Sequence, residues 1–105
     1  HMFNMKIFRK MKKSAFLINT SRGKIVNEKD LVTALKKKMI AGVGLDVFEI
    51  EPISKKHPLV KLQNVVLAPH IGSSTKETRI KMAEITVKNL NLGMSGKKPI
   101  YSVGY

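Results

Sequence analysis

Leu17-Ile18-Asn19-Thr20-Ser21-Arg22-Gly23 is the stretch from which the fold of this chain is read. An apolar run, Ala15 to Ile18, ends abruptly in four polar residues and a glycine. A parallel strand delivers side chains to a cleft in this way, and open α/β sheets bind their ligands outside the carboxyl ends of their strands. Arg22 is the sharpest of the seven, a planar bidentate donor suited to a carboxylate. Taken alone, the heptapeptide is equally a strand-to-helix turn with a solvated arginine, so the flanking sequence has to weigh in.

On the amino-terminal side, residues 3–13 place Ile7, Phe8 and Met11 at helical spacing with lysines opposite, the pattern of an amphipathic helix end packed on a sheet. His1-Met2 has the look of a cloning scar and is left out of the fold reading. The strand over Ala15 to Ile18 lacks polar alternation, as expected where helices cover both faces of a parallel sheet. On the other side, Asn27 is an N-cap, with Glu28 and Asp30 in the first turn where the helix dipole favours negative charge. Leu31, Val32, Leu35 and Met39 mark the buried face of that helix, and Lys36 to Lys38 load its last turn. A second strand is expected over Ala41 to Phe48. Its Gly42-Val43-Gly44 sits inside the strand, and Val47 stands where a dinucleotide fingerprint needs its third glycine. Close backbone packing is therefore the better account than a phosphate loop.

Pro52 and Pro58 keep the loop from Glu49 through Pro58 out of regular structure. A third strand, Asn64 to Ala68, ends in Pro69-His70-Ile71-Gly72. Ser74 and Glu77 form a capping box for a long helix to about Met94. Ile80, Ala83, Val87, Leu90 and Met94 form one stripe, and Met82, Ile85 and Leu92 widen it enough to meet more than one layer. Gly96 and Pro99 end that helix, and residues 100–103 add a short extended piece. The order αβαβ-loop-βα predicts an α/β fold with parallel strands.

Composition narrows the classes of function. The 105 residues suffice for one small domain. The chain has no cysteine, which fits a reducing compartment, and a cytoplasmic location is the expectation. No apolar run is long enough to span a membrane, and basic residues interrupt the start too often for a signal peptide. The net charge of +13, from 20 Lys+Arg against 7 Asp+Glu, raises nucleic acid as a partner. The lysines are scattered, however, and no aromatic residues interleave with them to stack bases. A lysine-coated surface accounts for the charge better.

Arg22, Glu51 and His70 each stand at or beyond the carboxyl end of one of the three expected strands. Parallel strands bring those ends to one edge, so the three can converge as a carboxylate-oriented imidazole beside a guanidinium. Singly, His70 could cap a turn and Glu51 could be a solvated loop carboxylate. INTSRGKIV (18–26), the following Ala34-Leu35, AGVGLDVFEIEP (41–52) and NVVLAPHIGSST (64–75) resemble the signature segments of the D-isomer-specific 2-hydroxyacid dehydrogenases. The nearest likeness is to the glyoxylate and hydroxypyruvate reductase branch, with phosphoglycerate dehydrogenases close by.

The resemblance implies a three-stranded parallel half of a Rossmann-like doubly wound NAD-binding domain (residues 3–73), plus a long carboxyl-terminal helix and tail (74–105) that would return to a substrate domain. It implies hydride transfer between NAD or NADP and a small 2-oxo acid, with no metal. His70 would be the general acid and base, Glu51 would fix its tautomer, and Arg22 would hold the substrate's carboxylate. Thr20, Ser21 and Arg22 would line the nicotinamide end, with His70 beside them. Asp46 would bond the carboxamide, and Gly72 and Ser73 would approach it by backbone. A homo-oligomer is the expected assembly. The family's Gly-x-Gly-x-x-Gly turn, its ribose-reading residue and its amino-terminal domain have no counterpart in these residues. The expectation is a carboxyl-terminal portion with little activity alone. The alternatives are a non-catalytic interaction module built on the same half-fold and, less favoured, a basic nucleic-acid binder.

Overall fold

The computed structural model describes residues 1–102. They fall into two compact units that divide between Ile71 and Gly72. The first contains a three-stranded parallel sheet in the order β1 (Phe16–Asn19), β2 (Gly42–Leu45), β3 (Val65–Leu67). Ile18, Gly44 and Val66 stand side by side across it. All three carboxyl ends therefore lie at one edge, as the apolar runs predicted. The strands are shorter than those runs: Val47 and Phe48 are buried but lie beyond β2.

Side chains along a strand alternate between faces, and the two faces of this sheet differ. Leu17, Val43 and Leu45 join Phe8, Leu31, Ala34, Leu35 and Leu59 in one core. Phe16, Ile18 and Val66 on the other face are about two-thirds exposed (69%, 67% and 72%). The expectation that both faces are covered is thus not met, because the helices of this unit pack on one face only. The glycines of β2 lie on the exposed face beneath the side chains of β1. A Cβ on Gly44 would come within 2.9 Å of Ile18 Cδ1, and one on Gly42 within 3.0 Å of the Phe16 ring. Close packing, not phosphate binding, explains this Gly-x-Gly.

The first helix, α1, is a single turn, Met5–Phe8, instead of the longer helix read from residues 3–13. Asn4 Oδ1 accepts the Lys6 N–H at 3.1 Å, and Asp30 Oδ2 accepts the Met5 N–H at 2.8 Å. Phe8 is fully buried. Beyond it, Met11 is the one apolar residue among 9–13, and it packs against the core from a bend and not from a continued helix. Phe3 pairs with Val26 in an isolated parallel bridge.

Helix α2, Glu28–Lys36, has the expected cap, with Asn27 Oδ1 accepting the Asp30 N–H at 3.1 Å. It buries Glu28, Leu31, Ala34 and Leu35, whereas Val32 and Met39 are only half-buried. Met39 lies past the helix end, where Lys38 turns left-handed at φ +51°. The loop that starts at Glu49 runs into a short regular turn at Pro58. Pro58–Lys61 makes a 3-10 turn capped by His57, and this turn buries Leu59.

The second unit is built on α3, Lys76–Met94. Its N-cap is Thr75, whose Oγ1 accepts the Thr78 N–H at 3.2 Å, so the Ser74–Glu77 capping box does not form. Ser74 Oγ instead accepts from the Arg79 guanidinium at 2.9 Å. The carboxyl end closes as a Schellman turn. Gly96 is left-handed at φ +67°, its N–H bonds to Gly93 O, and the Lys97 N–H bonds to Leu92 O at 2.8 Å. No α3 residue is buried, so the wide stripe read as meeting several layers lies open, with Ile80, Val87, Leu90 and Met94 exposed. Asn89 exchanges two hydrogen bonds with the backbone of Ile100. Ile100 and Tyr101 lie in a turn and not in the expected extended piece, whose end at Val103 is outside the described residues. No helix among the described residues is long and apolar enough to cross a membrane.

Candidate active site

The carboxyl edge of the sheet carries a turn after each strand, and each turn presents one of the three residues singled out in the sequence. After β1, Asn19 stays buried and clamps the turn. Its Oδ1 accepts the Ser21 N–H at 3.1 Å, and its Nδ2 donates to Arg22 O at 3.0 Å. Thr20, Ser21 and Arg22 are thereby pushed into solvent. The Arg22 guanidinium donates to Ser21 O at 2.7 Å. Gly23 follows with no room for a side chain: a Cβ there would fall 1.9 Å from Phe48 C and O. This direct backbone contact joins the Arg22 turn to the segment carrying Glu51.

Beyond β2, the Glu51 carboxylate works in two directions. Oε1 accepts the Phe48 N–H at 3.0 Å, and Oε2 lies 2.8 Å from His70 Nδ1. The hydrogen bond from His70 and then that from the Phe48 N–H hold Glu51 below the usual carboxylate range; desolvation opposes them, and the charges of His70 and Arg22 add lesser help. Beyond β3, His70 sits in the left-handed region at φ +58°, a conformation that persists in a non-glycine residue only where its surroundings enforce it. The enforcement is visible on both sides of the residue. Glu51 takes the ring at Nδ1, and buried Asp46 accepts the next amide, Ile71 N–H, on Oδ1 at 2.8 Å. Glu51 therefore leaves Nε2 as the ring nitrogen available to a ligand.

Arg22, Glu51 and His70 line one cleft of about 600 Å³, together with Gly23, Lys24 and Phe48. On its other side the Glu51–His70 pair borders an apolar cleft of about 500 Å³ walled by Phe48, Pro52, Ile53, Leu67 and Pro69. A carboxylate-bound imidazole beside a guanidinium can orient a small acid and move one proton at its neighbouring oxygen. The same edge is polar enough for the nicotinamide end of a dinucleotide, with Thr20 and Ser21 exposed and the Asp46 carboxylate buried beside the His70 turn. Gly72 and Ser73 form a turn at the start of the second unit. Among the described residues no cluster of histidine and acidic side chains could hold a metal ion.

Three residues that shape the site were not singled out for it in the sequence. Asn19 was legible, since an asparagine two residues before a turn amide is an Asx-turn signature. Glu28 and His57 left no such signal. Glu28 Oε1 accepts the Glu49 N–H at 2.8 Å, Glu49 Oε1 accepts the Glu28 N–H at 3.0 Å, and His57 Nε2 stands 3.3 Å from Glu28 Oε2. His1, set aside as a scar, also reaches this cluster, with Nε2 3.0 Å from Glu49 Oε1.

A parallel half-sheet with an imidazole–carboxylate pair and an arginine at its carboxyl edge carries these groups where open α/β dinucleotide folds bind their ligands. The chain belongs to the D-isomer-specific 2-hydroxyacid dehydrogenase family: the profile of that family's NAD-binding domain matches residues 1–72. It is 54% identical over 99 residues to the glyoxylate reductase of Thermofilum pendens, covering 94% of this chain and 29% of that protein. It superposes on the crystal structure of an NADPH-dependent glyoxylate/hydroxypyruvate reductase from Sinorhizobium meliloti in complex with citrate, with a TM-score of 0.85 at 39% identity, over 96% of this chain and 32% of that one. A glyoxylate reductase from Paecilomyes thermophila gives a TM-score of 0.86 at 36% identity, over 95% and 30% of the two chains. The chain thus spans about 30% of the length of the curated relatives it matches.

Proposed function

We propose that these residues form the nicotinamide-side half of a dinucleotide-binding domain, followed from residue 74 by a helix leading towards a substrate domain. The enzyme they serve is an NAD(P)-dependent 2-hydroxyacid dehydrogenase acting on glyoxylate, hydroxypyruvate or a similar 2-oxo acid. The observation that carries this reading is the 2.8 Å contact between His70 Nδ1 and Glu51 Oε2 in the cleft that Arg22 also lines. The bound nicotinamide supplies or accepts hydride. Arg22 holds the substrate's carboxylate and so fixes where its 2-oxygen lies. His70 Nε2 protonates that oxygen during reduction and takes the proton back in oxidation. Glu51 keeps Nδ1 protonated, which leaves Nε2 as the transferring atom and supports the positive charge. Thr20, Ser21 and Asp46 form the polar wall for the nicotinamide ring, and the family resemblance assigns Gly72 and Ser73 to cofactor binding as well. The activities of these relatives agree with this reading, and the enzyme is expected to assemble as a homo-oligomer.

The test is His70→Ala in the enzyme containing this segment. General acid–base help is worth about 10²–10⁴ in rate, so turnover falls by that factor while cofactor affinity changes little. Arg22→Ala lowers kcat/KM for the acid. An enzyme whose turnover is indifferent to His70→Ala refutes the proposal.

A further inference from the structure

We infer that Glu28 and His57 are positioning residues that hold the Glu51 loop, and through it the His70 ring, in register. The inference rests on the catalytic reading of the Glu51–His70 pair and extends it to side chains outside the cleft that Arg22 lines. Glu28 begins α2, is only 8% exposed, and is one of three buried polar residues in the described structure. Nothing about its helix requires a buried carboxylate, since Asn27 already caps α2. A buried charge is stable only where its lone pairs are taken, and here they are taken by the site loop. Glu28 Oε1 holds the Glu49 N–H at 2.8 Å, while the Glu28 N–H is held in return by Glu49 Oε1 at 3.0 Å.

His57 stands behind that carboxylate. Its Nδ1 accepts the N–H of fully buried Leu59 at 3.3 Å, so the proton lies on Nε2, which faces Glu28 Oε2 at 3.3 Å. The chain of contacts therefore runs from the core at Leu59 through His57 and Glu28 to the Glu49 amide. The adjacent Phe48 amide is the one that binds Glu51 Oε1, and Glu51 Oε2 binds His70 Nδ1. Without the Glu28 brace the Glu49 amide loses its acceptor, the backbone that also presents the Phe48 amide loosens, and the Glu51 carboxylate loses its fixed bearing on the ring.

The experiment uses the 105-residue chain with no ligand, reading amide exchange and the His70 tautomer by ¹⁵N NMR at a pH where its ring is neutral. Glu28→Leu keeps the bulk and removes the acceptor. Phe48 and Glu49 amides then exchange about 10- to 100-fold faster, as for loss of a bond to a charged group. His70 moves from its single Nδ1–H form towards the Nε2–H form. Glu28→Gln retains an acceptor oxygen and restores both readings. Leu31→Ala, a core truncation on the same helix, lowers the melting temperature but leaves the tautomer unchanged.

A folded Glu28→Leu chain with parental tautomer and exchange refutes the inference, as does an equal tautomer change in Leu31→Ala. If Glu28→Leu does not fold, His57→Leu decides. Unchanged exchange at Glu49 together with an unchanged His70 ring in that variant refutes the relay. Because no turnover is measured, failure here leaves the effect of His70→Ala on activity standing, and failure of the dehydrogenase reading leaves these spectra standing.

Discussion

Replacing Gly23 by alanine tests whether the Arg22 turn and the Glu51 loop are held together by direct backbone contact. The new Cβ would meet Phe48 C and O at 1.9 Å and Glu49 N at 2.5 Å, where ordinary contact begins near 3.4 Å. The two segments must therefore part by roughly 1.5 Å. The obstructing atoms are main chain and cannot rotate aside as a side chain would. Overpacking costs about 1–3 kcal/mol, and a backbone wall places this substitution at the upper end, about 3 kcal/mol. A domain of this size loses about 4–8 °C of melting temperature per kcal/mol, so Gly23→Ala should melt at least about 12 °C below the parent. The matched control is Gly93→Ala in α3, whose Cβ would meet nothing within 4 Å. That change relieves the entropic weakness of a helical glycine, about 0.5–1 kcal/mol at most, and should leave the melting temperature unchanged or slightly raised. Calorimetric or circular-dichroism melts of the three proteins read both effects. A Gly23→Ala chain melting within about 2 °C of the parent would mean that the turn and loop part freely, contrary to this account.

Three further outcomes are expected. Glu51 has a folded value below its ordinary one, so its stabilising contribution is complete above about pH 4.3 and is lost as pH falls through the lowered value. Melting temperatures of Glu51→Gln should accordingly fall less steeply with acid than those of the parent, and parallel curves would disprove the link. The 105 residues contain no glycine turn to supply backbone donors for a pyrophosphate, so calorimetric titration with NADH and NADPH should show only weak binding; micromolar affinity for either would contradict this. Phe16, Ile18 and Val66 form an exposed apolar sheet face, and β1 pairs on one side only. The chain should self-associate more strongly as salt screens its charge of +13, whereas binding to nucleic acid would weaken steeply; light scattering that stays monomeric at high salt argues against it.

The order of elements, the parallel sheet and the three turns at one edge were legible because each strand ends in an abrupt change from apolar to polar or proline-rich sequence. What was not legible depends on contacts distant in the chain. Residues 15–18 are all apolar, so their sequence cannot say which face is covered, and the structure shows Phe16 and Ile18 open. Ser74 and Thr75 are both able to cap, and only the geometry that gives Thr75 the Thr78 amide separates them. Glu28 looks like any acidic residue in a first turn, yet its partner amide is 21 residues away.

These distant contacts follow a common rule. The buried polar side chains among the described residues are Asn19, Glu28 and Asp46, and each one braces a different turn of the candidate site. Asn19 holds the Ser21 amide and the Arg22 carbonyl, Glu28 holds the Glu49 amide two residues before Glu51, and Asp46 holds the Ile71 amide one residue after His70. Burying a polar group is unfavourable unless it is bonded, and a core built for stability alone would place apolar residues at all three positions. Their placement makes sense if the turns must be fixed more finely than strand register alone can achieve. A proton donor and its acceptor have to be held within a few tenths of an ångström. The parallel sheet brings Arg22, Glu51 and His70 to one edge; the three buried polar residues set how exactly the backbone beside each of them is aimed.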